Sequence, residues 1–318
     1  MREELADFPE GFDPTCIKDF NQPLLISSTS YLGEKIDSAR QMDKFTTIGE
    51  DLIAQACDQV AESGATPLFI SYRIEGAESS SQIFHEILRG IERGTQRAGV
   101  KQIVQRSAEG EGQSKAGLMA SVVATGALEL DKKLGPHRVN AGDVIVAMPS
   151  SGMHASGFAL VNELITRYEI DLSSHYDFDK SLGDLLLTAP EIYTLDCLAL
   201  TKAQPENIHA FALIADGGVA ANTERVIPDG LVAIYDRSTW SLPQEMKFFA
   251  DVASLALPDL EQSWNAGIGM SVIVEASVAD LIVRSLAARG MKAWIAGRVE
   301  KAEEKGAPRA YLTSEYQR

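Results

Sequence analysis

Segments with the two-residue period of strands and segments with the 3.6-residue period of helices follow one another along the whole chain. They do so on both sides of a polar stretch at residues 131–143. That interleaving constrains the fold more than any other feature, because mixed strands and helices bury their apolar sides as helices packed on sheets. In the first half, residues 23–27 (PLLIS) predict a short buried strand. Residues 47–62 predict a helix stopped at Gly64, and 67–74 a β-branched and aromatic strand. Residues 79–99 predict a second helix, opening on a serine cluster and closing on Gly99; 102–104 and 117–128 predict further strands. The stretch DKKLGPHRVNAGD (131–143) marks a domain boundary. Beyond it come a strand at 143–148, a loop at 150–157 and an amphipathic helix at 158–168. Residues 177–202 are expected to be helical. HAFALIADGG, GLVAIYD, GMSVIVE and KAWIAGRV predict strands, and 279–290 a helix ending on Gly290. The expected fold class is α/β, in the α+β sense, with two related domains at 1–137 and 138–318.

Two domains also suit a length of 318 residues, at roughly 150 residues each. With 45% hydrophobic and 23% charged residues, the chain can fill two cores. A formal net charge of −16 argues against nucleic acid and against an anionic membrane surface, both of which need clustered Lys and Arg. A small phosphorylated ligand stays compatible with it, since one helix N-terminus can hold an anion inside an acidic protein. Cys16, Cys57 and Cys197 are odd in number and far apart, with no disulfide framework or zinc spacing. Residues 1–14 are acidic and lack the apolar core of a signal peptide, and no apolar run is long enough to span a bilayer. The expected location is the cytoplasm.

The most distinctive local feature is Ser150-Ser151-Gly152-Met153-His154-Ala155-Ser156-Gly157, between a strand and a helix. Small residues let the backbone approach a ligand, N–H groups at a helix start attract an anion, and hydroxyls and an imidazole add donors. An ordinary tight turn with serine caps fits the same residues equally well. The loop is neither a Walker A motif nor a Gly-x-Ser-x-Gly elbow. Asp216-Gly217-Gly218 after a strand suits either a backbone nest or a glycine turn with an Asx bond. Asn265 to Met270, with Gly267 and Gly269, precedes a strand, where glycines commonly mark close packing. Of the five histidines only His154 has a suggestive setting; His85 lies within a helix.

Several of these segments together resemble aminoimidazole ribonucleotide (AIR) synthetase, or phosphoribosylformylglycinamidine cyclo-ligase. The similar segments are TIGEDLIA (47–54), GATPLF (64–69), SSGMHASGFALV (150–161), ADGGVAANTERVIPDGL (215–231), NAGIGM (265–270) and AGRV (296–299). They come in the family's order, from about residue 12 to 299. The resemblance implies two α/β domains, the first pairing with its copy in a second subunit as a barrel-like homodimer. It implies use of Mg-ATP to activate the formamide oxygen of formylglycinamidine ribonucleotide before an internal nitrogen closes the imidazole ring. It further implies that Ser150, Ser151, Gly152 and His154 contact phosphate or ribose, with Asp216, Gly217, Gly218, Asn265 and Gly267 lining the cleft. On the nucleotide side Lys35, Gly33 and Asp58 are the positions carried over.

The chain departs from the family most on that nucleotide side. Where the family has an Asp-Gly-Val-Gly-Thr-Lys type motif, this chain has Ser30-Tyr31-Leu32-Gly33-Glu34-Lys35, so a neutral hydroxyl replaces a hard-cation ligand. An Asn-Asp pair becomes Asp58-Gln59, which turns the acid by about 100° around the helix axis. A Gly-Gly-Glu-Thr-Ala loop becomes Gln105-Arg106-Ser107-Ala108-Glu109, and the family's glycine-rich N-terminal extension is shortened to the opening residues. Changes in the second domain are lighter: Ala155 replaces an asparagine and Ala215-Asp216 a Thr-Gly pair. Four independent losses imply a divergent member without ordinary ATP-dependent cyclisation, either a pseudoenzyme or a paralogue binding a metabolite or partner. The alternatives are an active synthetase whose ATP and magnesium site is rebuilt from Glu34, Asp58, Glu109 or Glu111, and a structural homo- or heterodimer partner.

Overall fold

In the computed structural model, residues 14–77, 81–100, 102–105, 117–254, 256–304 and 306–317 are described. Their contacts divide the chain into two units. One runs to Lys133 and also takes in Ile192–Leu198; the other comprises Leu134–Glu191 and Ala199–Arg318.

The first unit contains β1 (Pro23–Leu32), α1 (Glu34–Met42), α2 (Thr46–Glu62), β2 (Thr66–Glu75), α3 (Gln82–Ala98), β3 (Gln102–Gln105) and β4 (Met119–Glu129). Its sheet is open, in the order β1-β4-β2-β3. β4 runs antiparallel to both its neighbours, and β2 is parallel to β3. β1 is longer than PLLIS: it runs on through Ser28–Leu32, because its residues alternate between an exposed side (Leu25, Ser27, Thr29, Tyr31) and a more buried one ending on Leu32. Hydroxyl residues on a half-exposed strand carry no apolar signal. On α2, Ile48, Leu52, Ile53, Ala56, Cys57 and Val60 are buried. α3 crosses α2 where Gly90 and Gly49 meet: a Cβ on Gly90 would lie 1.9 Å from the Thr46 carbonyl oxygen. α3 is bounded as its sequence predicts, by the Ser81 hydroxyl accepting from the Phe84 N–H (3.2 Å) and by Gly99 in the left-handed region.

In the second unit lie β5 (Val144–Pro149), α4 (Phe158–Arg167), α5 (Leu182–Leu186), β6 (Ile208–Leu213), α7 (Gly218–Glu224), β7 (Leu231–Asp236), α8 (Gln244–Ala253), α9 (Leu257–Glu261), β8 (Ile268–Val274), α10 (Ala279–Ala288), β9 (Trp294–Lys301) and β10 (Ala310–Thr313). α6 (Thr194–Ala203) begins among the residues that group with the first unit. The six-stranded sheet has the order β10-β7-β9-β5-β8-β6 and is antiparallel except for the β10–β7 edge. Every residue of β6 and β8 is buried, the polar His209 and Ser271 included, which bond to Asp143 and Tyr235. The expected helix over 177–202 is replaced by α5 and α6 with irregular chain between them. Pro190 explains part of the break, since it supplies no N–H and disfavours helical backbone at Ala189. Tyr176 and Asp177, in the left-handed region at φ 45° and 66°, precede it.

The chain's end is anchored. Arg237 makes a bidentate pair with Glu261, both N···O distances being 2.6 Å, and the Tyr316 hydroxyl donates to the same carboxylate at 2.5 Å. Tyr316 packs edge-on against Trp240, whose indole N–H donates to the Ala266 carbonyl oxygen at 2.8 Å. No helix among the described residues is long and apolar enough to cross a membrane.

Candidate functional site

Three of the positions considered for the nucleotide side, Ser30, Lys35 and Asp58, turn inward and are each 1% exposed. The Ser30 hydroxyl donates to the Leu52 carbonyl oxygen at 2.7 Å. Lys35, in the first turn of α1, places its ammonium 2.5 Å from an Asp51 carboxylate oxygen. Beyond that ion contact neither Asp51 oxygen has a hydrogen-bond partner, and the Thr47 hydroxyl and the Gln55 side-chain amide oxygen on α2 are equally unsatisfied. Burial pushes the Asp51 carboxyl up to about 6; Lys35 opposes the rise and Glu50 adds to it. Asp58 accepts from the Thr194 hydroxyl (2.6 Å) and the Tyr193 N–H (3.2 Å). Burial, followed by the charge of Asp58, raises the thiols of Cys57 and Cys197, so both behave as inert core groups. Gln59, at the next position on α2, accepts from the Ser28 hydroxyl.

Gly33 is exposed at the start of α1 and borders a cavity of about 410 Å³. The carboxylates lining it, Asp37 and Glu75, are paired with Arg40 (3.0 Å) and Arg73. Glu34 is exposed, and Glu109 and Glu111 lie outside the described residues. Magnesium bound with a triphosphate needs carboxylates free to face the ion together with donors for the phosphates. The carboxylates of Asp51 and Asp58 are buried in internal contacts and those of the cavity are matched by arginines. Of the residues expected to serve nucleotide or metal, Lys35 and Asp58 are thus held in internal contacts and Gly33 borders the cavity.

In the second unit the fold gathers most of the residues expected there. Asn265 is the hub. Its amide donates to the Gly152 carbonyl oxygen (2.9 Å), and its side-chain oxygen accepts from the Gly267 N–H (2.9 Å) and the Ser150 hydroxyl (3.3 Å). The Ser150 N–H donates to the Gly267 carbonyl oxygen at 2.9 Å. His154 holds a left-handed φ of 54° and turns Nε2 back into the loop, where it accepts from the N–H groups of Ser151 (3.1 Å) and Glu191 (3.3 Å). Two incoming donors assign Nε2 as unprotonated, so from that nitrogen the imidazole is an acceptor rather than the expected donor. The Ser151 hydroxyl donates to the Ala189 carbonyl oxygen at 2.7 Å.

Asp216 reaches the same loop: its carboxylate accepts from the N–H of Gly157 at 2.8 Å, at the start of α4. The helix N-terminus expected to attract a ligand's anion is thus already met by an internal one. Gly217 and Gly218 open α7, and Gly218 is so close to the end of α9 that a Cβ would lie 1.6 Å from the Glu261 carbonyl oxygen. Gly218 therefore serves packing at this point, while Gly217 supplies the left-handed φ of 94° before the helix. One group absent from the sequence expectations is Glu245 on α8. It is buried, its carboxyl oxygen would lie 3.4 Å from a Cβ on Gly152, and burial raises its pKa against the weaker pull of its own N–H and Lys180. A lone glutamate among many acidic residues gave no signal of this placement.

Two α/β units, the second presenting a serine- and glycine-rich loop braced by an Asn-x-Gly turn, define the structural class. The chain belongs to the AIR synthase-related family. The family's N-terminal domain matches residues 13–128 and its C-terminal domain residues 140–307. A phosphoribosylformylglycinamidine cyclo-ligase of Burkholderia vietnamiensis (strain G4 / LMG 22486) is 33% identical over 288 residues, covering 90% of this chain and 81% of that protein. The thiamine-monophosphate kinase of Stenotrophomonas maltophilia K279a has the same fold, with a TM-score of 0.68 and 16% identity over 93% of this chain and 87% of the kinase. Hydrogenase maturation protein HypE, solved in complex with ATP, gives a TM-score of 0.63 and 16% identity over 98% of this chain and 90% of HypE.

Proposed function

We propose that this chain is a family member that does not carry out ordinary ATP-dependent ring closure and instead binds a phosphorylated small molecule at the 150–157 loop. One observation carries the first half of this reading: Lys35 and Asp58, carried over from the family's nucleotide side, and Ser30, at the family's aspartate position, are committed to contacts inside the first unit, while Gly33, also carried over, stays exposed. The second half is supported by the way Ser150, Ser151, Gly152, His154, Asn265 and Gly267 converge on one loop. A homodimer, carried over from the resemblance, belongs to the same proposal, and native mass spectrometry tests it against a monomer or a mixed complex.

A second reading, an active cyclo-ligase, is favoured by the identity to the Burkholderia protein and by the fold shared with a protein solved with ATP. Calorimetric titration with Mg-ATP, beside an intact family enzyme as control, separates the two. Binding near 1 μM (about −8 kcal/mol), with ADP released when formylglycinamidine ribonucleotide is added, establishes the second reading. No heat from a folded sample that still binds a ribose phosphate establishes the first.

A further inference from the structure

The cavity beside Gly33 has a chemistry that neither reading uses. It lies between the end of β1, the start of α1 and the strands β2 and β4. Its charged lining is Asp37, Arg40, Arg73 and Glu75, two charges of each sign. Tyr31 and Met119 stand at its edge, 70% and 44% exposed, and give it an apolar border. We infer that this cavity is a binding site for a small zwitterion with an apolar side group, of which a free α-amino acid is the simplest case.

Charge balance is the first argument. A polyanion entering the cavity meets two carboxylates as well as two guanidiniums, whereas a ligand carrying one charge of each sign leaves the total unchanged. The second argument is how weakly the lining is committed to itself. Arg40 and Asp37 are 56% and 55% exposed, and Arg73 and Glu75 are 59% and 33% exposed. Ion pairs this exposed hold together loosely, so a ligand can exchange for either partner at little cost. A guanidinium then takes the ligand carboxylate through two parallel N–H bonds, and a carboxylate takes the ammonium. The buried Lys35–Asp51 contact nearby cannot be recruited in this way. Size is the third argument. About 410 Å³ lies within the usual range for small-ligand pockets, roughly 300–1,000 Å³. The Tyr31 ring and the Met119 thioether suit an aromatic or branched side group.

The test is calorimetric titration of the full chain with L-phenylalanine, N-acetyl-L-phenylalanine and phenethylamine, which carry both charges, only the negative and only the positive. L-leucine and L-methionine serve as further zwitterions. The expected result is saturable binding of at least one amino acid with Kd on the order of millimolar or tighter. Both singly charged analogues should be weaker by at least about tenfold, as should the amino acid on Arg40→Gln and Arg73→Gln. Both arginines are exposed, and circular dichroism confirms that the variants fold. The inference is overturned if none of the three amino acids binds, if an analogue binds as well as its parent, or if both arginine variants bind like the wild type. None of these outcomes depends on whether the 150–157 loop binds phosphate.

Discussion

Asp51 is a buried carboxylate whose protonation state bears on the stability of the fold. Burial pushes its carboxyl up to about 6 in the native protein, from the ordinary carboxylate value of about 4. Because the folded value is the higher one, its contribution to stability is complete below about pH 4 and is lost as pH rises through 6. The span of about two pKa units corresponds to roughly 3 kcal/mol. Asp51→Asn should mimic the protonated form, so the stability of wild type relative to this variant should fall between pH 4 and 6 and be level above. Urea unfolding midpoints across that range measure it, and a flat difference refutes the buried, raised carboxyl. Asp216 sets a second test at this scale. Its carboxylate holds the Gly157 N–H at 2.8 Å, at the place proposed for a ligand phosphate. Asp216→Asn removes a negative charge from the helix start, so affinity for a ribose phosphate should rise by about threefold to fivefold. A decrease in a calorimetric titration would place the phosphate elsewhere. Neither relation was legible in the sequence. The Lys35 and Asp216 positions were visible, but whether a charged group faces a ligand or its own backbone is decided by residues far away in the chain.

Among the elements, α2 and α3 were legible because the period and the stopping glycine agree in each, and α3 adds a serine cap. β1 beyond Ser27 was not, since a strand with one side exposed can be built of serine and threonine, and residues 177–202 read as one helix because the local pattern does not register the break at Pro190. The glycines at the α2–α3 crossing were present in the sequence without a partner to explain them. Gly90 sits in a helix interior, where alanine is intrinsically better by about 1 kcal/mol. Its Cβ would nevertheless lie 1.9 Å from the Thr46 carbonyl oxygen and 2.9 Å from the Gly49 Cα, backbone atoms that no rotamer change can move. Overpacking of this kind costs about 1–3 kcal/mol and can exceed that. Gly90→Ala should therefore lower stability by about 2 kcal/mol. Gly33→Ala, at a position with φ −113° and nothing within 4 Å, should change it by less than about 0.5 kcal/mol. Thermal unfolding of the two variants checks the contrast, and equal effects would mean that the helices separate readily at their crossing.

For the whole molecule, the AIR synthase-related class was legible because six short segments kept the family's order and spacing over most of the chain. The last residues were beyond that reach: the C-terminal family domain matches to residue 307, and β10 and Tyr316 follow it. Those residues connect to the candidate loop by a continuous path. Tyr316 donates to Glu261, which holds Arg237; Tyr316 packs on Trp240, and Trp240 holds the Ala266 carbonyl oxygen. Asn265 and Gly267, on either side of Ala266, hold Ser150 and Gly152. Tyr316→Phe removes one hydrogen bond to a charged group and should cost about 1.5–3 kcal/mol. If the path is mechanical, the cost falls unevenly. Amide exchange at Ser150, which donates to Gly267, and at Gly267, which donates to Asn265, should speed up, while the buried amides of α2 in the first unit keep their wild-type rates. Hydrogen exchange followed by mass spectrometry reads both regions in one experiment. Unchanged rates at Ser150 and Gly267 beside a lowered overall stability would mean that the chain's end steadies the sheet without steadying the loop.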